Sequence, residues 1–391
     1  MLRFSTPLFL GLWLTTVVHL FASGLDEWAD RSPGQPIDLH GVAFGDGKFV
    51  AVGVQGVIFV STNGAAWRPT DSPAAAALRG ITYGAGMFAA VGDNGSIITS
   101  TNGVAWVRRS SGSVAELFGV VHSGGQFVAV GRVDTGAGYA GEIITSSDGV
   151  DWTIRDSGVR DPLFAIGYGA GIYVAVGHLS ALASDDGITW RRVQLPNYGP
   201  VYGIAYGNNR FVTAESDIYT PTFPFSVSED GQSWRNTSAA TDGAAWGVTF
   251  ASGRFAAVGG LNLFFGNPTN QVAVSGDGEH WTTHSVGLIP ELRCITYGAG
   301  SFVAVGLSGT IVQSGRVTSP RLAIQPPSNP NSVQLTITGD AGDVYRLQTS
   351  TDFPSGDWMD WMILTNVIGT ITVTDDTVSN SERRFFRLLE P

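Results

Sequence analysis

The sequence predicts an all-β chain folded as a closed ring of repeated sheets, followed by a small second β unit. Three observations predict it. One motif occurs seven times between residues 41 and 306, and apolar residues alternate with period two between breaks rich in Gly, Asn and Asp. No stretch beyond the first two dozen residues holds a 3.6-residue period, so helix should be scarce. Of 391 residues 52 are glycine, only 14% are charged and 43% are hydrophobic, which suits a turn-rich globular chain and excludes a disordered one.

The first residues read as an address. Arg3 precedes an apolar run from Pro7 to Val18, and Ala22-Ser23-Gly24 supplies small residues just before Leu25. That pattern predicts a cleaved secretory signal peptide over 1–24. The rival reading is an uncleaved anchor helix, which Thr15, Thr16 and His19 weaken. The expected location is secreted, periplasmic or at the cell surface, with no membrane span after cleavage. Cys294, the one cysteine, excludes an intrachain disulfide framework and a cysteine zinc site. Lys+Arg 22 against Asp+Glu 33 leaves −11, with Lys48 the single lysine, so nucleic acid is excluded as a partner.

The repeat starts at Gly41, with Gly-Val-Ala-Phe-Gly-Asp-Gly-Lys-Phe-Val-Ala-Val-Gly, and again at Gly80, Gly119, Ala165, Gly203, Gly247 and Cys294. Strand-like units 38 to 47 residues apart are the signature of a β-propeller. In the first unit the strands read as Gly41–Phe44, Lys48–Gly53, Val57–Ser61 and a fourth from Trp67.

Between strands three and four lies a recurrent turn, Ser61-Thr62-Asn63-Gly64-Ala65-Ala66-Trp67. Its copies end at Trp106, Trp152, Trp190, Trp234 and Trp281, each with Ser six before, Asn or Asp four before and Gly three before. The Asx side chain can bond backbone N–H groups downstream, and Gly accepts a left-handed conformation. The turn resembles the Asp-box (BNR) repeat of sialidase, sortilin and photosystem-assembly-factor propellers, one residue shorter than the usual form. That resemblance covers about residues 25–318 and implies a structural role, because Asp boxes lie on turns away from the ligand.

Counting fixes the closure. Every box Trp stands 13 residues before the next repeat start; the seventh repeat never finds its Trp, yet Trp28 stands 13 residues before Gly41. The expectation is a seven-bladed β-propeller over 25–318, closed by its N-terminal strand, with truncation of Trp28 costing about 3–5 kcal/mol. A linker over 319–330 should lead to a C-terminal β-sandwich over 331–391. There Ser332–Thr338 alternates cleanly, and the runs at Tyr345, Trp361 and Arg384–Leu388 resemble a C-terminal module of secreted bacterial proteins.

In up-and-down blades, the connections after strands two and four share one face, which here receives every loop of variable length. These expand at Arg132–Gly141, Ser216–Phe225 and Gly260–Gln271, carrying Tyr139, Tyr219, Phe223, Phe225, Phe264 and Phe265. The residue before each repeat start varies (His40, Arg79, Phe118, Phe164, Tyr202, Trp246 and Arg293), while the residue before that is always apolar. The first strand of a blade is innermost, so these seven should ring the channel mouth. With Tyr139, Tyr219 and Phe264 they form the candidate ligand site. An aromatic floor edged by guanidinium groups suits a sugar acid, an anionic glycan or a peptide carboxylate.

Those features point to an exported binding or assembly scaffold for a glycan or protein ligand. The alternative is a carbohydrate-active enzyme, sialidase-like or another glycoside hydrolase. The sialidase resemblance implies convergent arginines (Arg79, Arg293 and Arg132 are available) with Tyr202, Glu116, Glu291 and Asp93 nearby, but the Phe/Tyr-Arg-Ile-Pro motif is absent. Glu142, Asp161, Glu215 and Asp242 could also reach this face as paired carboxylates. No cofactor is expected, and no metal site: His40 and His178 share the variable face, whereas His122 and Cys294 occupy core slots.

Overall fold

The computed structural model describes residues 24–25, 27–196, 199–216, 225–237, 244–260, 271–287, 289–317, 321–325, 332–339, 344–351, 358–365, 370–375 and 385–389. Their strands form seven four-stranded antiparallel sheets and two three-stranded ones. The first sheet runs Leu39–Gly45, Lys48–Gly53, Ile58–Ser61 and Arg68–Thr70, outward from the axis. The innermost strands, Leu39–Gly45, Leu78–Gly84, Glu116–Ser123, Leu163–Gly169, Val201–Gly207, Ala244–Ala251 and Leu292–Gly298, touch one another in a closed cycle. The architecture is a β-propeller. The only helical elements among the described residues are three-residue 3-10 turns, as the missing 3.6-residue period predicts.

Burial between sheets holds the ring. Phe49, Phe88, Phe127, Phe211, Phe255 and Phe302, one residue into the second strands, are fully buried, and Tyr173 takes that place in blade four. Each such ring contributes roughly 1.5–3 kcal/mol by leaving water. The small residue opening each repeat has a steric cause. A Cβ on Gly80 would lie 2.6 Å from the Phe118 carbonyl oxygen of the next inner strand, because backbone packs against backbone around the axis.

The six recurrent turns share one Asx geometry, and in five of them the indole also bonds the turn glycine, Trp234 being the exception. In blade one Asn63 Oδ1 accepts from the N–H groups of Ala65 and Ala66 at 2.9 and 3.0 Å, Ser61 Oγ accepts from Gly64 N–H at 2.9 Å, and the Trp67 indole donates to Gly64 O at 2.9 Å. Gly64 sits at φ +73°, a conformation that disfavours any side chain. Asn102, Asp148, Asp186, Asp230 and Asp277 make the same pair of backbone bonds. Backbone N–H groups lower the carboxyls of Asp186 and Asp230 to about 2.

Trp28–Asp30 pairs antiparallel with Ile311–Ser314, and so supplies the outermost strand of the seventh sheet. Beyond the ring, strands Arg321–Gln325, Val333–Thr338 and Thr370–Asp375 form one sheet, and Met359–Thr365, Val344–Ser350 and Phe385–Leu389 another. Leu335, Ile337 and Val373 from the first meet Tyr345 and Leu347 from the second in one core, a small β-sandwich. Here the sequence reading needs correcting. Arg321–Gln325 lies inside the segment read as linker, yet pairs with Val333–Thr338 and belongs to the sandwich. Five residues with only Leu322, Ala323 and Ile324 as apolar members gave too short a pattern to announce a strand. The leader to residue 23 lies outside the described residues, and among those residues no helix is long and apolar enough to cross a membrane.

Candidate functional site

Each inner strand carries a β-bulge at the same place. Leu39 pairs with Gly53 and Gly41 with Val52, leaving His40 as the extra residue; the same slip occurs at Arg79, Phe118, Phe164, Tyr202, Trp246 and Arg293. A bulge leaves one residue out of the ladder and re-aims its side chain. The residue on its N-terminal side (Leu39, Leu78, Leu117, Leu163, Val201, Ala245 and Leu292) is at most 1% exposed and anchors the strand in the core. The bulged seven, all half-buried, line one cavity of about 220 Å³ at the channel mouth.

Around this mouth the aromatic rings form a continuous arc. Phe118 meets Phe164 edge-on at 5.5 Å, Phe164 stacks on Tyr202 at 5.1 Å, and Tyr202 meets Trp246 at 4.2 Å. A guanidinium caps each end: Arg293 lies 3.9 Å over Trp246, and Arg79 6.0 Å from Phe118. His40 sits between the two arginines and closes the circle.

The arginines are not free. Arg79 donates Nε and Nη2 to the two carboxylate oxygens of Asp93 at 2.8 and 2.9 Å. Arg293 Nε lies 2.8 Å from Glu291 Oε1, and Arg132 Nη2 2.7 Å from Glu116. Three guanidiniums therefore face three carboxylates, and the edge expected to be basic is charge-balanced. Burial first, then the Arg79 and Arg293 charges, lowers His40 to about 4, so it is neutral at pH 7. Burial raises the Glu291 carboxyl, with Arg293 opposing, and raises the Tyr202 phenol. His40 Nε2 and Trp246 Nε1 are buried without a hydrogen-bond partner, and Arg293 Nε and Glu291 Oε1 meet as an ion pair whose angle does not make a hydrogen bond.

Other candidates fall elsewhere. Arg132–Gly141, read as a loop, is an extension of a hairpin: the second strand of blade three runs to Asp134 and the third begins at Tyr139, with Thr135 N–H bonding Gly138 O across the tip. Tyr139 is 44% exposed and lies under the Arg132 guanidinium at 4.2 Å. Phe225, read as an exposed loop aromatic, is fully buried and stacks on Trp281 at 4.0 Å. Tyr219, Phe264, Phe223, Phe265 and Asp242 lie outside the described residues. Glu142 accepts from Ser113 Oγ at 2.6 Å, Asp161 from Ser180 Oγ at 2.7 Å, and Glu215 is fully buried beside Thr213. His122 packs on Phe127 at 4.4 Å, and burial pushes the Cys294 thiol up, as suits core positions. No group of three His, Cys, Asp or Glu side chains could hold a metal among the described residues.

One feature escaped the sequence reading: the position two before each bulge. Asp38, Glu116 and Glu291 stand there, and the latter two hold arginines. Asp38 instead accepts from Ser308 N–H at 2.8 Å, tying blade seven to blade one. Acids in three of seven copies of that slot were the available signal.

No family model and no curated protein matches the sequence. Solved structures do. Virginiamycin B lyase from Staphylococcus aureus is similar with a TM-score of 0.62 at 10% identity, over 74% of this chain and 99% of that one. YCF48 from Cyanidioschyzon merolae reaches 0.54 at 14% identity, over 75% of this chain and 99% of its own. The WD40 β-propeller domain of Doa1 reaches 0.57 at 11% identity, over 75% and 96%. At such identities the likeness is one of fold alone, a β-propeller ring.

Proposed function

We propose that the protein is an exported binding scaffold that seats a glycan or protein ligand on the mouth of its ring. The observation that carries the reading is convergence. Seven inner strands each place one bulged residue on the same cavity, and those seven vary in chemistry while their neighbours stay apolar. Chemically variable positions on a rigid scaffold are where recognition concentrates. A propeller suits a scaffold or binding role in general, so the site must supply the specificity.

The test is binding of the full chain to arrayed glycans and peptides. Trp246→Ala and Arg293→Ala are expected to weaken binding by at least ~1 kcal/mol each, as aromatic and arginine anchors do. If both bind as the wild type does while changes in the Asx turns abolish binding, the reading falls. A second reading, glycoside hydrolysis, is favoured by Glu291 alone: a carboxyl raised by burial is what a general acid needs. Release of reducing sugar that Glu291→Gln abolishes would establish it.

A further inference from the structure

We infer that the group seated in the mouth is an uncharged sugar ring, not an acidic one. The inference rests on the mouth being the ligand site, and it departs from what the sequence suggested for the same residues.

Charge at the mouth is already matched. A carboxylate is drawn by positive charge that nothing nearby offsets. Arg79 has both Nε and Nη2 engaged by Asp93, while Arg293 and Arg132 are each held by a glutamate. Each guanidinium keeps N–H donors beyond these contacts, but its charge is already matched by a carboxylate, so an acidic ligand gains little net attraction and meets like charge close by. The charged groups acting on His40 are Arg79, Arg293, Asp38 and Asp93, two of each sign, with the arginines acting more strongly and the aspartates offsetting them in part.

Shape points the same way. Pairing and stacking fix the guanidiniums as flat plates: Arg293 over Trp246 and Arg132 over Tyr139. Of these, Arg293 lines the mouth itself, and with Phe118, Phe164, Tyr202 and Trp246 it makes a wall of planar groups around about 220 Å³. That is below the ~300–1,000 Å³ of pockets for drug-sized ligands, and fits one ring. The C–H faces of a pyranose pack on such planes as other apolar surface does.

Hydrogen-bonding sign agrees. Trp246 Nε1 can only donate, neutral His40 offers one donor and one acceptor, and the Tyr202 hydroxyl does both. Sugar hydroxyls also donate and accept, and so can answer all three. An ionised carboxylate only accepts, and a purely apolar side chain would leave these groups unpaired.

The experiment probes the full chain with matched oligosaccharides, neutral and uronate- or sialate-terminated, beside a peptide array. Neutral members are expected to bind, with acidic counterparts weaker. Affinity should change less than about twofold between roughly 0.05 and 0.5 M salt, since no net charge is neutralised. Trp246→Ala should lose at least ~5-fold. Tyr202→Phe, which keeps the stack and drops the hydroxyl, should lose about 2- to 5-fold while melting as the wild type does. Preferred, salt-sensitive binding of the acidic members overturns the inference, as does silence across the neutral ones. If peptides bind and Trp246→Ala abolishes that, the sugar inference falls and the scaffold reading stands. If no mouth variant alters any binding, both fall.

Discussion

Trp28 and Ser314 face each other across the pair of strands that closes the ring, in the places that the serine and tryptophan of the recurrent turn hold in the other six blades. In blade one the corresponding Ser61 and Trp67 flank a single turn. In the closing blade the serine comes from one end of the propeller and the tryptophan from the other. The indole of Trp28 donates to Leu25 O at 2.8 Å, three residues back, as Trp67 does to Gly64. The seam is therefore built like an ordinary blade edge, and it hides the open strands that an unsealed ring would present.

Trp28→Ala is expected to destabilise the ring by about 2–4 kcal/mol, somewhat less than a fully buried tryptophan because Trp28 is half-buried. Trp28→Phe should recover most of the packing and lose the bond to Leu25. Urea melts followed by tryptophan fluorescence, corrected for the missing indole, read both. A melt unchanged in Trp28→Ala would show that the seam does not hold the ring.

The Asx turns make stability depend on acid. Asp186 and Asp230 are lowered to about 2 by backbone N–H groups, below the ~3.9 of an unfolded aspartate. A depressed carboxyl stabilises the fold above its unfolded value, and that contribution disappears as pH falls through the folded one. The melting temperature should therefore drop between about pH 4 and pH 2. Asp186→Asn should keep the turn, as Asn63 and Asn102 do naturally, and flatten part of that drop. Asp186→Ala should lower the melt at every pH. An Asn variant that melts like the Ala variant would refute the hydrogen-bond account.

Gly80→Val should be among the most damaging single changes in the ring, at about 1–3 kcal/mol or more, because its Cβ would press on the Phe118 carbonyl. Ala165, in the same slot of blade four, already carries a Cβ. Ala165→Gly should therefore cost no more than about 1 kcal/mol. Thermal melts of the pair compare the two slots directly.

His40 should titrate near 4 in a nuclear magnetic resonance pH series, with Arg79, Arg293, Asp38 and Asp93 as its charged surroundings. Its folded pKa lies below the unfolded ~6.5, so the unfolded chain binds more protons between the two values. Stability from this site is complete above about pH 6.5 and is lost as pH falls towards 4. His40→Gln should remove that slope, and a normal titration near 6.5 would contradict the buried placement.

The ring is legible in the residues alone. Repeat spacing, two-residue alternation and the Trp count gave the strand order, the closure at Trp28 and the seven residues of the mouth, because all three follow from local periodicity and turn chemistry. Tertiary structure decided what the mouth is made of. Alternation separates His40 from Leu39, but only the paired strands reveal the bulge between Leu39 and Gly41, since a bulge is a mismatch between two strands. Asp93 lies 14 residues after Arg79 and Glu116 16 before Arg132; the fold brings both pairs together and turns an expected basic edge into a balanced one. Phe225 read as exposed because it follows a loop, and it is buried because Trp281 of the next blade stands beside it. Periodicity reports which side of a strand a residue takes; which charges and rings it meets there depends on neighbours that come from distant parts of the chain.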